Sequence, residues 1–394
     1  MNTSENPTLE SSRSTEEPFD VVIVGAGVAG LTLASRLRED AKAHGRPVPR
    51  VVVLDKGRSV GGRMGTRRLE WPEGGEPARF DHGPPGFSVI TAAFRKLVER
   101  AEAAGAVLPH PKGQRLHWRG REGVRSFAAF LAEGVEVRSS TIVTAVRPDL
   151  ADPSLWSLAT TPAAPGLKAP DISSAPLDPT APVTTLRARA VVLTCPVPQA
   201  LAILEAGGVA LASDLRADLA VVSYERSWVA LATFNEQDGQ RLADLGPEGL
   251  VVVPEELPHK LIDHRARGVS PRPAYSIQAG ANWSMTHWDD PADQVAPTLF
   301  QAARPWLGGS EEEVKPVHLE AHRWKFARVT VGFPRTERYA TLNDAPPLLM
   351  AGDAFRGGAQ AGPDGRSRDP ETIYGVEAAW LSGQAAAAAL EGRV

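Results

Sequence analysis

The sequence predicts an α/β fold in which helices cover a parallel sheet. An apolar strand at residues 19–24 leads directly into the glycine-rich turn GAGVAG at 25–30 and then into a helix-like stretch. A second apolar strand at residues 51–54 ends in Asp55. Strand, glycine turn, helix, strand and acid, in this order, form the fingerprint of a dinucleotide-binding unit.

Each position of this fingerprint has a physical purpose. Gly25 permits the tight turn, Gly27 lets the backbone approach a pyrophosphate, and Gly30 lets the helix pack closely on the strand. The helix N-terminus offers free N–H groups to the phosphates, and Asp55 stands where a carboxylate accepts a hydrogen bond from a ribose hydroxyl. The alternative interpretation is a glycine turn with a purely structural role.

A second glycine pair, GGRMG at residues 61–65, follows closely. It resembles a segment of FAD enzymes of the glutathione-reductase and amine-oxidase type. An extended FAD requires a second close approach of the backbone, and Arg63 can form a fork with a phosphate. Alone, the segment is equally compatible with a surface turn and a solvated arginine. Behind the first fingerprint it favours FAD, and we expect non-covalent binding.

Composition narrows the classes of protein that remain. The 394 residues are 42% hydrophobic and carry a net charge of −4, which gives no argument for a nucleic-acid partner. No apolar run is long enough to span a membrane. The single cysteine, Cys195, excludes a disulfide framework and a clustered-cysteine metal site, and we predict no metal. We therefore expect a cytoplasmic enzyme without an obligate protein partner.

The remaining elements follow from periodicity and apolar runs. Helices are predicted at 28–43, 91–104, 127–132, 294–306 and 375–390. Strands are predicted at 135–138, 142–146, 155–159, 189–194 and 347–353, and an antiparallel sheet at 224–234, 250–253 and 275–283.

The order of these elements predicts a discontinuous nucleotide-binding domain. The fingerprint lies near the start of the chain and the Gly-Asp strand near its end, and a region of mixed strands and helices separates them. The predicted fold is a Rossmann-like FAD-binding domain of the glutathione-reductase type with an inserted α+β substrate domain built on an antiparallel sheet. We expect a disordered leader at 1–18 and a flexible insertion at 161–182. The predicted FAD-binding domain comprises 19–83, 124–197 and 337–394, and the substrate domain 84–123 and 198–336.

Several motifs together resemble the renalase family of the flavin amine-oxidase superfamily. They are GAGVAG, LDK and GGRM in the first 65 residues, FDHG at 80–83, LTCPVP at 193–198, VSY at 222–224, NWS at 282–284, HRW at 322–324, AGDAF at 351–355 and VEAAWLSG at 376–383. The resemblance covers most of the chain.

The resemblance implies further cofactor contacts. Lys56, Gly62 and Met64 would lie at the cofactor, and the backbone of Val143 would meet the adenine. The ribityl and pyrophosphate groups would be held by Gly352 and Asp353, and the helix that opens at Gly375 and Val376 would face the flavin pyrimidine ring. The alternative interpretation of Asp353 is a turn acid after a strand.

The resemblance also implies a reaction. Renalase-like enzymes oxidise dihydronicotinamide isomers by hydride transfer to FAD, with oxygen as the electron acceptor. Two other classes remain open: an amine oxidase or desaturase of a small metabolite, and a non-catalytic flavin-binding protein. The chain differs from the family at 84–87, where PPGF replaces AQYF, and in a longer segment at 356–374. Both differences predict an altered substrate pocket.

No catalytic triad is evident, and the catalytic residues are not assigned. The weak candidates are His82, Trp283 and Trp324, with a structural histidine and core tryptophans as the alternative. His287 is a further candidate for the pocket wall, and Arg323 and Lys325 for a substrate phosphate. Cys195 ends a buried strand, which favours an inert thiol over a covalent flavin link.

Overall fold

The computed structural model describes residues 17–71, 74–112, 115–163, 182–254, 257–308, 314–357 and 373–394. Nearly all of the predicted leader lies outside these ranges. The same holds for most of the predicted insertion at 161–182 and of the segment at 356–374.

The secondary structure follows the chain in this order. The strands are β1 (Phe19–Val24), β2 (Val51–Leu54), β3 (Thr66–Leu69), β4 (Ala78–Asp81), β5 (Phe87–Ser88), β6 (Val107–Lys112), β7 (Arg115–Gly120), β8 (Glu136–Arg138), β9 (Thr141–Pro148), β10 (Trp156–Pro162), β11 (Thr184–Leu193), β12 (Ser223–Thr233), β13 (Leu250–Val252), β14 (Lys260–Asp263), β15 (Ala274–Gln278), β16 (His318–Val331), β17 (Ala340–Asn343) and β18 (Leu348–Met350). The helices are α1 (Val28–Ala43), α2 (Ala92–Ala103), α3 (Arg125–Leu131), α4 (Val197–Ala206), α5 (Ser213–Ala220), α6 (Glu236–Gly239), α7 (Ala281–Thr286), α8 (Ala292–Leu307) and α9 (Gly375–Leu390).

A parallel sheet forms the centre of the nucleotide-binding half. Its strands run side by side in the order β18-β11-β1-β2-β8, and β17 adds an antiparallel edge. Strand β10 pairs antiparallel with β11, and β9 pairs antiparallel with β10. The residues of β1, β2 and β18 are almost all apolar and buried, as expected for a parallel sheet that is covered on both faces. The chain is therefore mixed α/β with a Rossmann-like sheet, as predicted.

Helices α1 and α9 pack against each other on this sheet. A Cβ atom at Gly383 would lie 2.4 Å from the Ala29 carbonyl oxygen, so only glycine permits this approach. The same apolar cluster includes Phe87, Phe94 and Trp118. Packing thus joins the segment from β5 to β7 to the nucleotide-binding half, whereas the sequence assigned residues 84–123 to the substrate domain.

The second sheet is antiparallel, with the order β13-β14-β15-β12-β16. Helix α8 covers one face of it, where Trp228 and Leu299 are buried. On the other face, Val229 and Leu231 share a cluster with Phe80 of β4. The antiparallel sheet therefore packs directly on the segment that follows the second glycine pair.

Several boundaries differ from the prediction by a few residues, and two of the differences concern a candidate site residue and the predicted insertion. The predicted strand at 275–283 ends at Gln278, and Trp283 lies on the short helix α7. Strand β10 extends to Pro162, two residues into the predicted insertion. Among the helices of the described ranges, none combines the length and the apolar composition that crossing a bilayer requires.

Candidate functional site

The glycine turn between β1 and α1 has three different local geometries. Gly25 has a φ of 115°, a left-handed conformation that glycine adopts without strain. A Cβ atom at Gly30 would lie 2.1 Å from the carbonyl oxygen of Gly25, so this position holds the helix close to the strand. A Cβ atom at Gly27 would meet nothing within 4 Å. The turn and the packing are as predicted, and open space lies next to Gly27.

The N-terminus of α1 faces this space without a cap. Gly27 is the N-cap residue, and no side chain caps the helix. The first intrahelical bond is donated by Leu31 to the carbonyl oxygen of Gly27, at 3.0 Å. The N–H groups of the first turn therefore have no intrahelical acceptor, and the helix dipole favours an anion there.

Asp55 binds the backbone on both sides of its carboxylate. The N–H of Ala26 donates to Oδ2 and the N–H of Gly57 donates to Oδ1, each at 2.6 Å. Burial raises the pKa of Asp55, and these two bonds partly offset that effect. Two of the roughly four lone-pair positions of a carboxylate are thereby used, so others remain for a ribose hydroxyl.

Strand β9 begins against the Asp55 loop. The N–H of Thr141 donates to the Asp55 carbonyl oxygen, and the N–H of Ser140 donates to that of Gly57, both at 2.8 Å. Val143 follows two residues later and is buried. The predicted adenine contact thus lies on the strand next to the predicted ribose contact.

Thr194 fixes the glycine turn from the neighbouring strand. Its hydroxyl lies 3.1 Å from the carbonyl oxygen of Val24 and 2.9 Å from that of Gly25. The sequence analysis included this residue in a motif but assigned it no role. A hydroxyl at the carboxyl end of the strand next to the glycine turn was the available signal.

The second glycine pair lies against the first. The N–H of Gly61 donates to the Ala26 carbonyl oxygen at 2.8 Å, and a Cβ atom at Gly62 would be 3.7 Å from the Cα of Gly27. Met64 is buried in the apolar cluster of the parallel sheet. The side chain of Met64 is therefore a core element.

Arg63 and Asp353 form a two-bond ion pair. Nη1 and Nη2 of Arg63 donate to Oδ2 and Oδ1 of Asp353, at 2.8 and 2.6 Å. The sequence predicted a phosphate for the Arg63 fork, but in this structure the fork binds Asp353. Tyr224 lies in the same electrostatic environment, and its pKa is raised by burial and by the charge of Asp353. Its hydroxyl accepts the N–H of Val197 at 3.1 Å, a role that the sequence did not reveal.

The Gly-Asp segment is tied to α9. The N–H of Gly352 donates to the hydroxyl of Ser382 at 2.8 Å. Helix α9 begins at Gly375, as predicted, and Val376 belongs to its first turn. The carboxylate of Glu377 accepts the N–H groups of Ile90 and Thr91, each at 2.7 Å, and so connects the start of α9 to the start of α2.

His82 and Trp324, two of the weak catalytic candidates, lie together with His322. The ring centroid of His82 is 5.1 Å from that of Trp324 and 4.9 Å from that of His322. Nδ1 of His82 donates to the Gly65 carbonyl oxygen at 2.8 Å, and Nε1 of Trp324 donates to the His82 carbonyl oxygen at 2.8 Å. Burial lowers the pKa of His82 to about 4 and that of His322 well below its usual value. We call these three residues the His82 cluster, and its imidazoles are neutral at pH 7.

Trp283 and Arg323 lie elsewhere. Trp283 stacks on His287, with ring centroids 4.2 Å apart, and packs against the apolar cluster beneath α8. Arg323 donates to the Trp288 carbonyl oxygen. Arg323 is paired across the strands with Trp228, which is buried beneath α8, and so lies on the face of β16 opposite to Trp324. Of the predicted wall residues, Trp324 therefore lies with His82, whereas Trp283 and His287 lie towards α8.

Burial shifts the pKa values of Cys195 and Lys56 in opposite directions. Burial raises the pKa of Cys195 to about 12, so this side chain is a neutral thiol, as expected for an inert cysteine. Burial lowers the pKa of Lys56, and the charge of Lys325 lowers it further. The positive charge of Lys325 thus acts on Lys56.

The segment that differs from the renalase motif is held firmly. Nη2 of Arg267, a buried side chain, donates to the Pro85 carbonyl oxygen at 2.9 Å. A Cβ atom at Gly86 would lie 2.4 Å from the Trp118 carbonyl oxygen. Within the described ranges, no three His, Cys, Asp or Glu side chains are grouped as they would be around a metal ion.

The buried histidines predict a pH-dependent stability. Burial lowers the pKa of His82 to about 4 and that of His264 to about 3, from 6.5. Below pH 6.5 the unfolded chain therefore binds protons that the folded protein does not. As the pH decreases from 6.5 towards the pKa of the buried histidine, the free energy of unfolding should decrease by about 1.4 kcal/mol per pH unit for each histidine. Burial raises the pKa of Asp81 from 3.8 to about 6. Between these two values the folded protein binds a proton that the unfolded chain does not, so Asp81 adds stability as the pH decreases and offsets the loss from one histidine.

Chemical denaturation from pH 7 to 5 measures the net effect. We expect a clear loss of stability, and His264→Gln should flatten the slope while the exposed His44→Gln should not. A free energy of unfolding that stays constant between pH 7 and 5 would refute the neutral buried histidines.

The Arg63–Asp353 pair predicts a second stability effect. Arg63→Gln leaves a nearly buried carboxylate without its counter-ion. We expect a loss of about 2 kcal/mol, below the roughly 3–5 kcal/mol of a fully buried pair, because 30% of the Arg63 side chain is exposed. Adding Asp353→Asn should cost less than the sum of the single changes. Arg68→Gln, which breaks an exposed pair with Glu122, serves as the control and should change stability by under about 0.5 kcal/mol.

Comparisons with known proteins agree with this architecture. A protein-family profile described as an NAD(P)-binding Rossmann-like domain matches residues 23–101. Among solved structures, the p-nitrophenol 4-monooxygenase PnpA from Pseudomonas putida DLL-E4 superimposes with a TM-score of 0.51 and 15% identity, covering 95% of this chain and 79% of that one. Two variants of putrescine oxidase, from a structure-based redesign of cofactor binding, give TM-scores of 0.55 and 0.53 at 13% identity, covering 96% of this chain and 99% of theirs. No curated protein matches in sequence. At these identities the likeness shows a shared fold.

Proposed function

We propose that this chain is an FAD-dependent oxidoreductase. The observation that carries the proposal is the convergence of three glycine segments that are far apart in sequence. Gly61 binds the backbone of Ala26, and Thr194 binds the carbonyl oxygen of Gly25. Gly352 lies beside the Thr194 carbonyl oxygen, 3.9 Å from the position of an added Cβ atom. An extended dinucleotide needs such a series of close backbone approaches, and a structural turn does not.

The donors around this convergence suit FAD. Free N–H groups at the start of α1 would hold the pyrophosphate, and Asp55 would accept from the ribose. Val143 would lie at the adenine. Gly352 and Asp353 would line the ribityl and pyrophosphate region. The N-terminus of α9, at Gly375 and Val376, would stabilise negative charge on the reduced flavin.

When bound, FAD would accept a hydride from the substrate, and oxygen, the electron acceptor that we propose, would reoxidise it with formation of hydrogen peroxide. The chain itself orients the substrate and excludes water. The His82 cluster offers two neutral imidazoles and an indole next to the GGRM segment. Such a wall accommodates a planar ring without adding a positive charge, and hydride transfer needs little further acid–base help.

We propose dihydronicotinamide isomers, or a related small reduced metabolite, as the substrate. The support is the set of renalase-like motifs in both halves of the chain, including HRW at 322–324, which supplies two members of the His82 cluster. The second candidate is a flavin amine oxidase, which the fold shared with putrescine oxidase over 96% of the chain favours.

Anaerobic stopped-flow mixing tests this proposal. The purified protein is mixed with the 2- and 6-dihydro isomers of NADH, with normal NADH, and with a panel of amines including putrescine, while flavin absorbance is followed. We expect rapid bleaching by an isomer and slow or no bleaching by the others. Bleaching by amines alone would replace the proposed substrate by the second candidate. A flavin that no reductant bleaches would favour a non-catalytic flavin-binding protein.

A further inference from the structure

Arg67 lies on the face of β3 that meets the antiparallel sheet. In the β3–β4 ladder it pairs with Phe80, whose side chain packs on that sheet. Paired residues of an antiparallel ladder share a face, and residues two positions along the partner strand remain within reach of a long side chain. His82 is two positions beyond Phe80 and follows β4 directly. The side chain of Arg67 is therefore directed to the region where the His82 cluster lies.

Glu320 of β16 contacts Arg67 from the opposite side of this region. Nε of Arg67 lies 3.2 Å from Oε1 of Glu320, and 22% of the Arg67 side chain is exposed. Glu320 and His322 are two positions apart on β16 and so share a face of the sheet. Burial is the main cause of the low pKa values of His82 and His322, and the positive charge of Arg67 lowers both further. Arg67 thus acts on the His82 cluster, with Glu320 as its counter-ion.

The guanidinium of Arg67 has donors that the fold does not use. An arginine donates hydrogen bonds from each of its side-chain nitrogens and accepts none. Nε is buried, and its contact with Glu320 is an ion pair without hydrogen-bond geometry. Among the residues that the structure describes, none accepts a hydrogen bond from Nη1 or Nη2 of Arg67. Arg67 can therefore donate to a ligand without giving up a hydrogen bond of the fold, whereas the fork of Arg63 is already filled by Asp353.

The charge of Arg67 decides which class of ligand suits this position. The imidazoles of the His82 cluster are neutral at pH 7. A planar guanidinium with unused N–H groups matches a phosphate or a carboxylate, whereas a cationic amine would meet a like charge. The sequence assigned the substrate phosphate to Arg323 and Lys325, but Arg323 lies on the face of β16 opposite to Trp324. Arg67 is therefore the cation that the structure places on the side of the His82 cluster.

We propose that Arg67 binds a phosphate-type anionic group of the substrate and thereby selects a phosphate-bearing substrate over an amine. Glu320 holds the guanidinium in position. The inference rests on the proposed function for the location of the substrate, and it adds the side chain that determines the specificity. Its test must separate binding of the anionic group from the reaction of the ring.

Stopped-flow reduction of the FAD-loaded protein by two matched reductants makes this separation. One is the 6-dihydro isomer of NADH, which carries a pyrophosphate, and the other is the corresponding dihydronicotinamide riboside, which carries no phosphate. Arg67→Gln should raise the dissociation constant of the dinucleotide at least about 10-fold and that of the riboside less than about 2-fold, because only the dinucleotide loses charge-assisted hydrogen bonds. The limiting rate of bleaching should stay unchanged, since Arg67 binds the phosphate and not the ring.

Neighbouring variants and salt provide the controls. Arg68 lies on the opposite face of β3 in an exposed pair with Glu122, so Arg68→Gln should change neither dissociation constant. Arg67→Lys retains the charge but loses the planar fork and should give an intermediate loss. Raised ionic strength should weaken binding of the dinucleotide to the wild type more than to Arg67→Gln. A purely structural role of Arg67 would lower the stability without these differences.

Calorimetric titration of the FAD-loaded protein with NAD+ and with nicotinamide riboside gives a readout without turnover. Arg67→Gln should weaken binding of NAD+ and leave that of the riboside nearly unchanged. Equal weakening of both ligands, or of neither, overturns the inference. If Arg67→Gln does not fold, the wild type decides, because NAD+ binding that is independent of ionic strength overturns it as well. A wild type that binds FAD but is bleached by neither reductant removes the proposed substrate, while the titration with NAD+ still decides the role of Arg67.

Discussion

Replacing Gly27 by leucine is expected to abolish FAD binding while the protein remains folded. A Cβ atom at this position meets nothing within 4 Å, and its backbone is extended, with a φ of −80°. The leucine side chain would therefore enter open space without strain. That space lies in front of the uncapped N-terminus of α1, where the pyrophosphate would bind. We expect a loss of at least about 100-fold in FAD affinity, since a displaced pyrophosphate forfeits several charge-assisted hydrogen bonds.

Fluorescence titration with FAD measures the affinity, and thermal unfolding without flavin measures the fold. Gly27→Ala serves as a graded control, because its single methyl group intrudes less and should cause a smaller loss. If Gly27→Leu binds FAD like the wild type, the space next to Gly27 is not the pyrophosphate site.

Gly30→Ala is expected to have the opposite effect, a loss of fold rather than of binding alone. The added Cβ atom would lie 2.1 Å from the carbonyl oxygen of Gly25 and 2.8 Å from the hydroxyl of Thr194. The first of these is backbone, so α1 must move away from β1. Overpacking of this kind costs about 1–3 kcal/mol, and the contact with backbone places this change at the upper end of that range. Chemical denaturation measures the loss.

The variants at Gly27 and Gly30 serve as controls for each other. Position 27 tests binding and position 30 tests packing, although the two residues belong to one motif. A Gly30→Ala variant with wild-type stability would show that the close contact between α1 and β1 is not required.

Local patterns in the sequence were sufficient for the nucleotide-binding half. The predicted bounds of α1 and α9 agree with the structure. Gly45 and Pro47 mark the end of α1, and α9 is a continuous alanine-rich stretch that begins at a glycine. The apolar run before Cys195 predicted a buried parallel strand, and β11 pairs in parallel with both β1 and β18. These features depend on neighbours in the chain, which a sequence displays directly.

The contacts of the candidate site could not be predicted from the sequence in the same way. Arg63 and Asp353 are separated by 290 positions, and nothing in their spacing indicates that they bind each other. His322 joins His82 only because β16 packs on the segment after β4. Trp283 was assigned to a strand because aromatic residues favour strands, but the chain turns into α7 after Gln278. Tertiary packing decided each of these cases.

The identity of the bound cofactor tests the central claim most directly. The protein is purified, its absorption spectrum is recorded, and the supernatant of an acid precipitation is analysed for flavin. The proposed function predicts a yellow protein, with a flavin spectrum, that releases about one FAD per chain into the supernatant and takes FAD up again after its removal. A colourless protein that does not take up FAD would contradict the claim, and a flavin that remains with the pellet would contradict non-covalent binding.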